Sequence, residues 1–398
     1  MTTAPAPMHA ASPAPQAPTR SDVLILGGGL MGCCTAFFLR QRHGLSVTLL
    51  ERELVGRQAS GTNFGNVRRQ GRALAQIPLA NRAREAWART PELLGEDAEF
   101  RPYGHLRVCY TEAQAQRLVE HAEAVRPLGL DLRILSAAEL RRDWGLFTDE
   151  VVAGSYSPID GHANPRIAGP AFARAAARAG AHIVEHAPVA TVGPDGAGYA
   201  VHTADGRRFQ ADQLLISCGA WSHTLSAQFG EPVPLEPRGP QMGVTEPLPW
   251  AVGPSIGVSS PIEEEGLYFR QIRRGNIVFG GGLKGPADTA TVRAASRPDN
   301  ILRQLRELRR WVPAFANVQL LRTWSGIEGY TADAVPVMGP SARHRGLHYA
   351  FGFNGEGFAL SPGVGEVMAE LIATGRSPTP VEAFSIGRFT AAGRATAG

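Results

Sequence analysis

The chain has 398 residues, 43% of them apolar, with 40 basic and 36 acidic residues. This length exceeds what one hydrophobic core usually serves, so at least two domains are expected. Only one basic residue is a lysine, Lys284, and the arginines are scattered along the chain, which argues against a nucleic-acid-binding surface.

The two ends of residues 1–39 differ in character. Residues 1–20 are rich in alanine and proline and lack the apolar core of a secretory signal, so they are predicted to be a disordered tail. Residues 23–39 are mostly apolar, but glycines interrupt them and the segment is too short to span a bilayer. No transmembrane segment is therefore predicted.

The four cysteines, Cys33, Cys34, Cys109 and Cys218, show no metal-ligand spacing. Two of them are adjacent inside an apolar helical pattern. We therefore predict no metal site, and a reducing, cytoplasmic location.

The first ordered segment has the pattern of a strand–helix–strand unit. An apolar strand at residues 23–26 leads through a glycine turn into a helix at 30–41, and a second strand at 47–50 ends in Glu51. Gly27, Gly29 and Gly32 form the pattern Gly-x-Gly-x-x-Gly, and Glu51 follows Gly27 by 24 residues. This context predicts a dinucleotide-binding site, with the pyrophosphate at the helix N-terminus.

The motif also predicts a role for each of these residues. Gly27 permits the tight turn, Gly29 lets the backbone approach a pyrophosphate, and Gly32 lets helix and strand pack closely. Glu51 can accept hydrogen bonds from ribose hydroxyls, and its charge would repel the 2′-phosphate of NADP. The unit alone does not distinguish NAD from FAD.

Later segments alternate between two characters. A helix at 168–180, a buried strand at 213–217 and a helix at 364–373 are typical of the first domain. Helices at 112–128 and 138–143, and strands at 266–271 and 276–280, indicate a second, mainly antiparallel domain. We predict a discontinuous first domain at 21–90, 155–230 and 320–398, with the second domain at 91–154 and 231–319.

Four segments resemble the D-amino-acid oxidase superfamily of FAD-dependent oxidoreductases. They are Ala-Ser-Gly-Thr-Asn-Phe-Gly-Asn-Val-Arg at 59–68, Ser-Cys-Gly-Ala-Trp at 217–221, Trp-Ser-Gly-Ile-Glu at 324–328 with the run to 339, and Gly-Phe-Asn-Gly-Glu-Gly-Phe at 352–358. They are most similar to the sarcosine and glycine oxidase branch, including the β subunits of opine and sarcosine oxidases. The resemblance spans residues 21–376.

The resemblance implies an α/β protein with a Rossmann-type FAD-binding domain and an inserted α+β substrate domain built on a mainly antiparallel sheet. It implies FAD held without a covalent link, because Phe64 and a residue other than cysteine near Thr323 occupy the usual attachment positions. The implied cofactor-binding residues are Gly27, Gly29, Leu30, Met31, Gly32, Glu51, Arg52, Ser60, Gly61, Thr62, Asn63, Gly65, Asn66, Val189, Cys218, Gly219, Trp221, Gly326, Gly352, Asn354, Gly355, Glu356, Gly357 and Phe358.

Three residues are candidates for contact with the substrate. Arg68 matches an arginine beside the flavin, or else forms a surface salt bridge; Tyr268 matches a tyrosine that faces substrate, or else belongs to the core. Glu328 stands where glycine and D-amino-acid oxidases carry an arginine that binds the substrate carboxylate. Glu328 therefore either selects a cationic group on the substrate or pairs with Arg68, Arg69 or Arg72.

Two lysines of sarcosine oxidases are also replaced. Ala359 stands where one of them binds the substrate carboxylate, and Val278 where another takes part in oxygen activation, so direct use of oxygen is in doubt. The leading hypothesis is oxidation of a small amine or amino acid. The alternatives are one subunit of a larger redox complex, an NAD-linked dehydrogenase, and a nucleotide-binding module without activity.

Overall fold

The computed structural model describes residues 19–389. The helices are α1 (Leu30–His43), α2 (Ala59–Thr62), α3 (Ile77–Ala88), α4 (Thr90–Leu94), α5 (Glu112–Val125), α6 (Ala137–Trp144), α7 (Pro165–Arg178), α8 (Ser222–Gln228), α9 (Pro298–Trp311) and α10 (Gly357–Thr374). The strands are β1 (Thr19–Leu26), β2 (Val47–Leu50), β3 (Asn66–Val67), β4 (His105–Cys109), β5 (Arg133–Ser136), β6 (Ala153–Ser157), β7 (Gly161–His162), β8 (His182–Val184), β9 (Val189–Asp195), β10 (Gly198–Thr203), β11 (Arg208–Ile216), β12 (Leu235–Gly239), β13 (Gln241–Pro247), β14 (Ser255–Val258), β15 (Tyr268–Gln271), β16 (Asn276–Gly280), β17 (Gly285–Asp288), β18 (Arg293–Ala294), β19 (Leu320–Ser325), β20 (Glu328–Thr331), β21 (Val337–Pro340) and β22 (Leu347–Phe351).

The first sheet has the strand order β21-β22-β11-β1-β2-β8, with β10 and β9 continuing from β11. Strand β1 pairs in parallel with both β2 and β11, as a strand–helix–strand crossover requires. Alternate residues of β1 enter two different cores: Val23 and Ile25 pack on the helical side, and Leu24 and Leu26 on the other. Burial on both faces explains why this strand is apolar throughout.

The predicted N-terminal tail is partly wrong. Thr19 and Arg20 belong to β1 and pair with Phe209 and Gln210 of β11, so the strand begins before residue 21. The ladder hydrogen bonds of β11 extend the strand past its apolar part. The remainder of the predicted tail lies outside the described residues.

Helix α10 packs against α1 and α3 at glycine positions. A Cβ on Gly365 would lie 2.4 Å from the Cβ of Cys34, and a Cβ on Gly363 would lie 2.9 Å from that of Ala83. The helix begins at Gly357, seven residues before the predicted start, so Gly357 and Phe358 form its first turn and not a loop. This end of α10 faces both cavities described below.

The second sheet has the order β19-β13-β16-β15-β14-β4-β6-β5, and all its pairs are antiparallel except β14 with β4. Its core contains Leu106, Val108, Phe269, Phe279 and Trp311, the last from α9. The predicted fold class is thus confirmed.

The division into domains stays a prediction, and two strands lie elsewhere than it placed them. Strand β19 belongs to this second sheet although residues 320–398 were assigned to the first domain, and β6 crosses the predicted boundary at 155.

A smaller sheet, β18-β17-β12-β20, positions the candidate substrate residue Glu328. In the backbone ladder of this sheet, Arg238 of β12 lies opposite Glu328 of β20. Two-stranded pairing of β3 with β7 fixes the segment that leads to Arg68. Within residues 19–389, the helices all fall short of the length and apolar content needed to cross a bilayer.

Candidate active site

The glycine turn between β1 and α1 is built for close backbone approach. Gly27 has φ +103°, and a Cβ there would lie 2.5 Å from the carbonyl oxygen of Ser217, so only glycine fits. A Cβ on Gly32 would lie 2.1 Å from the carbonyl oxygen of Gly27. The turn and β2 are joined by Glu51, which accepts the N–H of Gly28 at 2.8 Å.

A cavity of about 330 Å³ opens beside this turn, at the carboxyl ends of β1, β2 and β11. Ligands of open α/β sheets bind at this position. The predicted cofactor residues that line it are Gly27, Gly29, Leu30, Met31, Glu51, Arg52, Ser60, Asn63, Val189, Cys218, Gly219, Trp221, Gly352, Asn354, Gly355, Gly357 and Phe358. The sequence thus identified segments from both ends of the chain that the fold brings to one cavity.

The residues of this first cavity suit a dinucleotide. No acidic side chain lies in the first turn of α1, and Gly29, Leu30 and Met31 at this end of the helix line the cavity. The N–H of Leu30 donates to Ser60 Oγ at 2.8 Å. A Cβ on Gly29 would meet only Ser60 Oγ, at 3.2 Å, so this side of the turn is open to a ligand. Further along the wall, the guanidinium of Arg52 lies 3.8 Å from the ring centroid of Trp221.

Four predicted cofactor residues line neither this cavity nor its neighbour: Gly32, Gly61, Thr62 and Gly326. They pack against the residues that form the cavity walls. A Cβ on Gly61 would lie 2.4 Å from the carbonyl oxygen of Gly56, and one on Gly326 would lie 1.9 Å from Thr62 Oγ1. Thr62 also accepts the indole N–H of Trp324 at 2.7 Å through its carbonyl oxygen.

A second cavity of about 340 Å³ adjoins the first, since Asn63, Glu328, Asn354, Gly355 and Phe358 line both. It is lined by the second large sheet, by β20 of the smaller sheet and by the start of α10. All three predicted substrate residues line it, Arg68, Tyr268 and Glu328, together with the predicted cofactor residues Gly65, Asn66 and Glu356.

Asn66 carries an unsatisfied acceptor at this second cavity. Its Oδ1 atom is buried and has no hydrogen-bond partner among the described residues. Buried polar atoms are normally paired, so an orphaned acceptor at a cavity wall fits a site that a ligand completes.

Arg68 forms a partly buried ion pair at the second cavity and not a pair on the open surface. Its guanidinium donates to Glu356 Oε1 at 2.8 Å, and that of Arg72 donates to Glu356 Oε2 at 3.0 Å. Burial raises the pKa of Glu356, but the positive charges of Arg72 and Arg68 outweigh it and leave that pKa below its ordinary value. Arg69 turns away from the cavity and pairs with Asp160 at 2.7 Å.

Glu328 does not pair with any of these arginines, so that alternative is wrong. Arg68 and Arg72 are engaged by Glu356, and Arg69 by Asp160. Glu328 Oε2 instead accepts the hydroxyl of Tyr330, at 2.9 Å. Burial raises the pKa of Glu328, while Tyr330 and Lys284 act in the opposite direction. Among residues 19–389 the Glu328 carboxylate therefore has a hydrogen bond but no ion-pair partner.

Tyr268 is both packed and accessible to the cavity. Its ring lies edge-on to Phe64, with centroids 4.7 Å apart, and its hydroxyl contacts the sulfur of Met242 at 3.8 Å. Burial, followed by the charge of Glu328, raises the pKa of its phenol, so the hydroxyl stays protonated and can donate a hydrogen bond. Core packing and contact with substrate are compatible here.

Sequence reasoning missed several polar residues of the second cavity, among them His105, Arg107, Lys284 and Tyr330. Lys284, the single lysine of the chain, lines the cavity and pairs with Glu263 at 2.6 Å. His105 and Arg107 face the cavity because strand alternation directs Leu106 and Val108 into the core of the second sheet. A polar/apolar alternation at 105–109 was the signal that could have indicated them.

A parallel sheet with this glycine turn, and a charged cavity joined to the dinucleotide cavity, define a nucleotide-dependent redox enzyme. A family model described as FAD dependent oxidoreductase, DAO, matches residues 22–371, and the chain belongs to that family. The protein is therefore an FAD-dependent amine or amino-acid oxidase or dehydrogenase, and the first cavity has the features that its cofactor, FAD, requires.

Curated relatives and solved structures agree with this assignment. The chain is 28% identical to glycine oxidase of Geobacillus kaustophilus (strain HTA426), over 93% of this chain and 97% of that protein. It is 26% identical to sarcosine oxidase subunit beta of an Arthrobacter species, over 92% and 91%. The crystal structure of L-proline dehydrogenase from P. horikoshii has a TM-score of 0.87 and 26% identity, over 94% of this chain and 99% of that one.

Proposed function

We propose that the protein oxidises the C–N bond of a small amine or an N-substituted amino acid that also carries a cationic or hydrogen-bond-donating group. The observation that carries the proposal is the carboxylate of Glu328 at the junction of the two cavities, whose one side-chain hydrogen-bond partner among residues 19–389 is Tyr330. FAD, when bound, accepts the hydride of the substrate carbon. The imine that leaves the site then hydrolyses in water.

The chain's own contribution is binding and orientation. Glu328 would attract an ammonium or guanidinium group, and Tyr268 would donate a hydrogen bond from its protonated phenol. Phe64 and Met242 line the second cavity, and Val278 packs behind them; this apolar wall would exclude water around the reacting carbon. Because positioning and cofactor electronics carry the rate, no strong base is required.

A second candidate is the flavin subunit of a hetero-oligomeric dehydrogenase, which passes electrons to a partner and not to oxygen. The similarity to a sarcosine oxidase subunit beta favours it. So does Val278, because the lysine associated with oxygen activation in the resemblance is replaced there by an apolar residue. The proposal also includes FAD held without a covalent link and a cytoplasmic location. The four cysteines are free thiols, which suits a reducing compartment.

A substrate panel under anaerobic conditions tests the main proposal. The purified yellow protein is mixed with opines, N-methyl amino acids, basic amino acids and simple amines, and the visible flavin absorbance is followed. Bleaching by amines with a second cationic group, and faster than by neutral amines, supports the proposal. Bleaching by hydroxy acids alone, or by NADH alone, contradicts it.

A further inference from the structure

The second cavity contains one arginine, Arg107, whose guanidinium forms no ion pair among residues 19–389. This guanidinium also has no hydrogen-bond partner in the described part of the chain. Arg68 and Arg72 share the single carboxylate of Glu356. The histidines nearby add no negative charge, so this part of the cavity carries excess positive charge.

The position of Arg107 is set by the backbone around it. On β4 it pairs in register with Gly257 of the parallel strand β14, and neighbours in such a pair point to the same face of the sheet. Gly257 has no side chain, and it also lines the cavity, so the space beside the guanidinium is left open. On its other side the guanidinium packs against Gly71, where a Cβ would lie 1.9 Å from Arg107 Nη1.

Arg107 remains charged at neutral pH. Burial and the nearby charge of Arg68 lower its pKa to about 10, while Glu356 raises it. His105 and His121 stay neutral, because burial lowers the pKa of each, and Arg68 and Arg107 lower it further. A buried cation without a counter-ion is unfavourable, and an anionic ligand removes that penalty.

The second cavity therefore has a positively charged side near Arg107 and a side near Glu328 that carries a carboxylate. The charges of Arg68 and Glu356 act on the pKa of Arg107, whereas the charge of Lys284 acts on the pKa of Glu328. The charges of Glu328 and Arg68 both act on the pKa of Tyr268, so this residue is placed between the two sides. A ligand with a carboxylate at one end and a cationic group at the other would match this arrangement.

We infer that Arg107 binds a carboxylate of the substrate and selects amino acids and their N-substituted derivatives over simple amines. The inference rests on the proposed function for the identity of the substrate, but the anion site itself does not. Arg107 takes the carboxylate because Arg68 and Arg72 are already engaged by Glu356. The planar guanidinium can hold both carboxylate oxygens at once.

Calorimetric titration of the full-length holoenzyme tests the anion site without turnover. Benzoate is compared with benzamide, which has the same shape and no charge. Arg107→Met should weaken benzoate binding by about 30-fold or more and leave benzamide within about twofold. Arg107→Lys should lose less, and Arg133→Met, an exposed arginine on β5 of the same sheet, should lose nothing. Equal affinity of wild type and Arg107→Met for benzoate would overturn the inference.

A second pair of variants tests the anion site even if Arg107→Met does not fold. A side chain at Gly257 meets nothing closer than the Cβ of Tyr268 at 3.6 Å, so it should be accommodated. Gly257→Asp adds a carboxylate beside Arg107 and should abolish benzoate binding, whereas Gly257→Asn, of equal size and without charge, should retain most of it. Equal effects of Asp and Asn contradict a charge-based site.

Kinetics separate this inference from the proposed function. Arg107→Met should raise KM for an amino-acid substrate about tenfold or more and leave KM for the corresponding decarboxylated amine unchanged. If no amine is oxidised but benzoate still requires Arg107, the proposed function fails and the anion site stands. If the panel is oxidised with no dependence on Arg107, the inference alone fails.

Discussion

At the scale of single residues, Glu328 is the residue that we propose to set the charge preference of the second cavity. Its partner is Tyr330, two positions along the same strand, and a glutamine could still accept that hydroxyl. Glu328→Gln should therefore fold normally and lower kcat/KM for a basic amine by about tenfold to several hundredfold, with neutral amines much less affected. Steady-state kinetics on a matched pair of basic and neutral amines measure this difference.

The control is Tyr330→Phe, which removes the hydroxyl but keeps the carboxylate and should preserve the preference for basic amines. Because burial raises the pKa of Glu328, its negative charge disappears as pH falls through that raised value. The preference should therefore shrink toward acid pH in wild type and stay flat in Glu328→Gln. Equal losses for basic and neutral amines would reduce Glu328 to a structural role.

Glu356 is the residue whose loss should cost most stability, since it neutralises both Arg68 and Arg72. Removing it leaves the buried Arg72 and the partly exposed Arg68 without a carboxylate, so Glu356→Gln should lower the free energy of unfolding by about 2 to 3 kcal/mol at pH 7. Denaturant unfolding of the holoenzyme measures this. Asp212→Asn, which breaks the exposed pair with Arg20, should cost less than about 1 kcal/mol.

The pH dependence of this loss follows from the lowered pKa of Glu356. The stabilisation is complete above the ordinary glutamate value of 4.5 and disappears as pH falls through the lower value in the folded protein. Wild type and Glu356→Gln should therefore converge in stability progressively as pH falls below 4.5. A difference between them that is constant from pH 7 to pH 3 would contradict an ionic origin.

Arg107 shows why the sequence could not reveal the whole site. Its importance depends on having no partner and on facing a cavity, and both depend on the pairing of β4 with β14, which are far apart in the chain. The glycine motif, in contrast, is local: Gly27, Gly32 and Glu51 could be predicted because each role depends on a short segment of known geometry.

At the scale of elements, the glycine motif at the N-terminus of α1 contains one glycine that cofactor binding requires and another that folding requires. Gly29 has φ −71°, which any residue adopts, and its side faces the cavity, so Gly29→Val should fold but fail to retain FAD. A Cβ on Gly32 meets the backbone of Gly27 instead, so Gly32→Val should destabilise the protein itself. Flavin content per protein and thermal unfolding measure the two effects. A Gly29→Val protein that purifies with full flavin content would refute the assignment.

Helix α10 shows a tertiary effect that local rules do not predict. Pro362 lies inside the helix, where it normally breaks the backbone ladder, so the sequence predicted a start at residue 364. In the structure, the hydroxyl of Ser361 donates to the carbonyl oxygen of Phe358 at 2.9 Å, replacing the bond that Pro362 cannot make. The indole N–H of Trp87 donates to the carbonyl oxygen of Ala359 at 2.9 Å. These partners stabilise the extra turns that reach the cavities.

At the scale of the whole molecule, the mode of cofactor attachment is the first question. Phe64 stands at one position of covalent linkage in the resemblance, and Cys218 is the cysteine that lines the first cavity. Burial raises the pKa of Cys218 to about 12, and a protonated thiol is a poor nucleophile. Acid precipitation should therefore release intact FAD into solution. Yellow precipitated protein, or a protein mass increased by that of FAD, would contradict this prediction.

The acceptor of the electrons is a property of the assembled site and its partners. Val278 is buried with Phe64 and Met242, so no cation replaces the lysine implied by the resemblance. Lys284 is held by Glu263, and its Nζ lies 5.2 Å from the ring centroid of Tyr330. With a substrate that bleaches the flavin, turnover with an artificial acceptor should exceed turnover with oxygen by about tenfold or more, with little peroxide formed. Lys284→Met should leave the slow reaction with oxygen unchanged, because its ion pair keeps the ammonium group engaged. Rapid peroxide formation in air that depends on Lys284 would show instead that the protein is an oxidase that activates oxygen at this lysine.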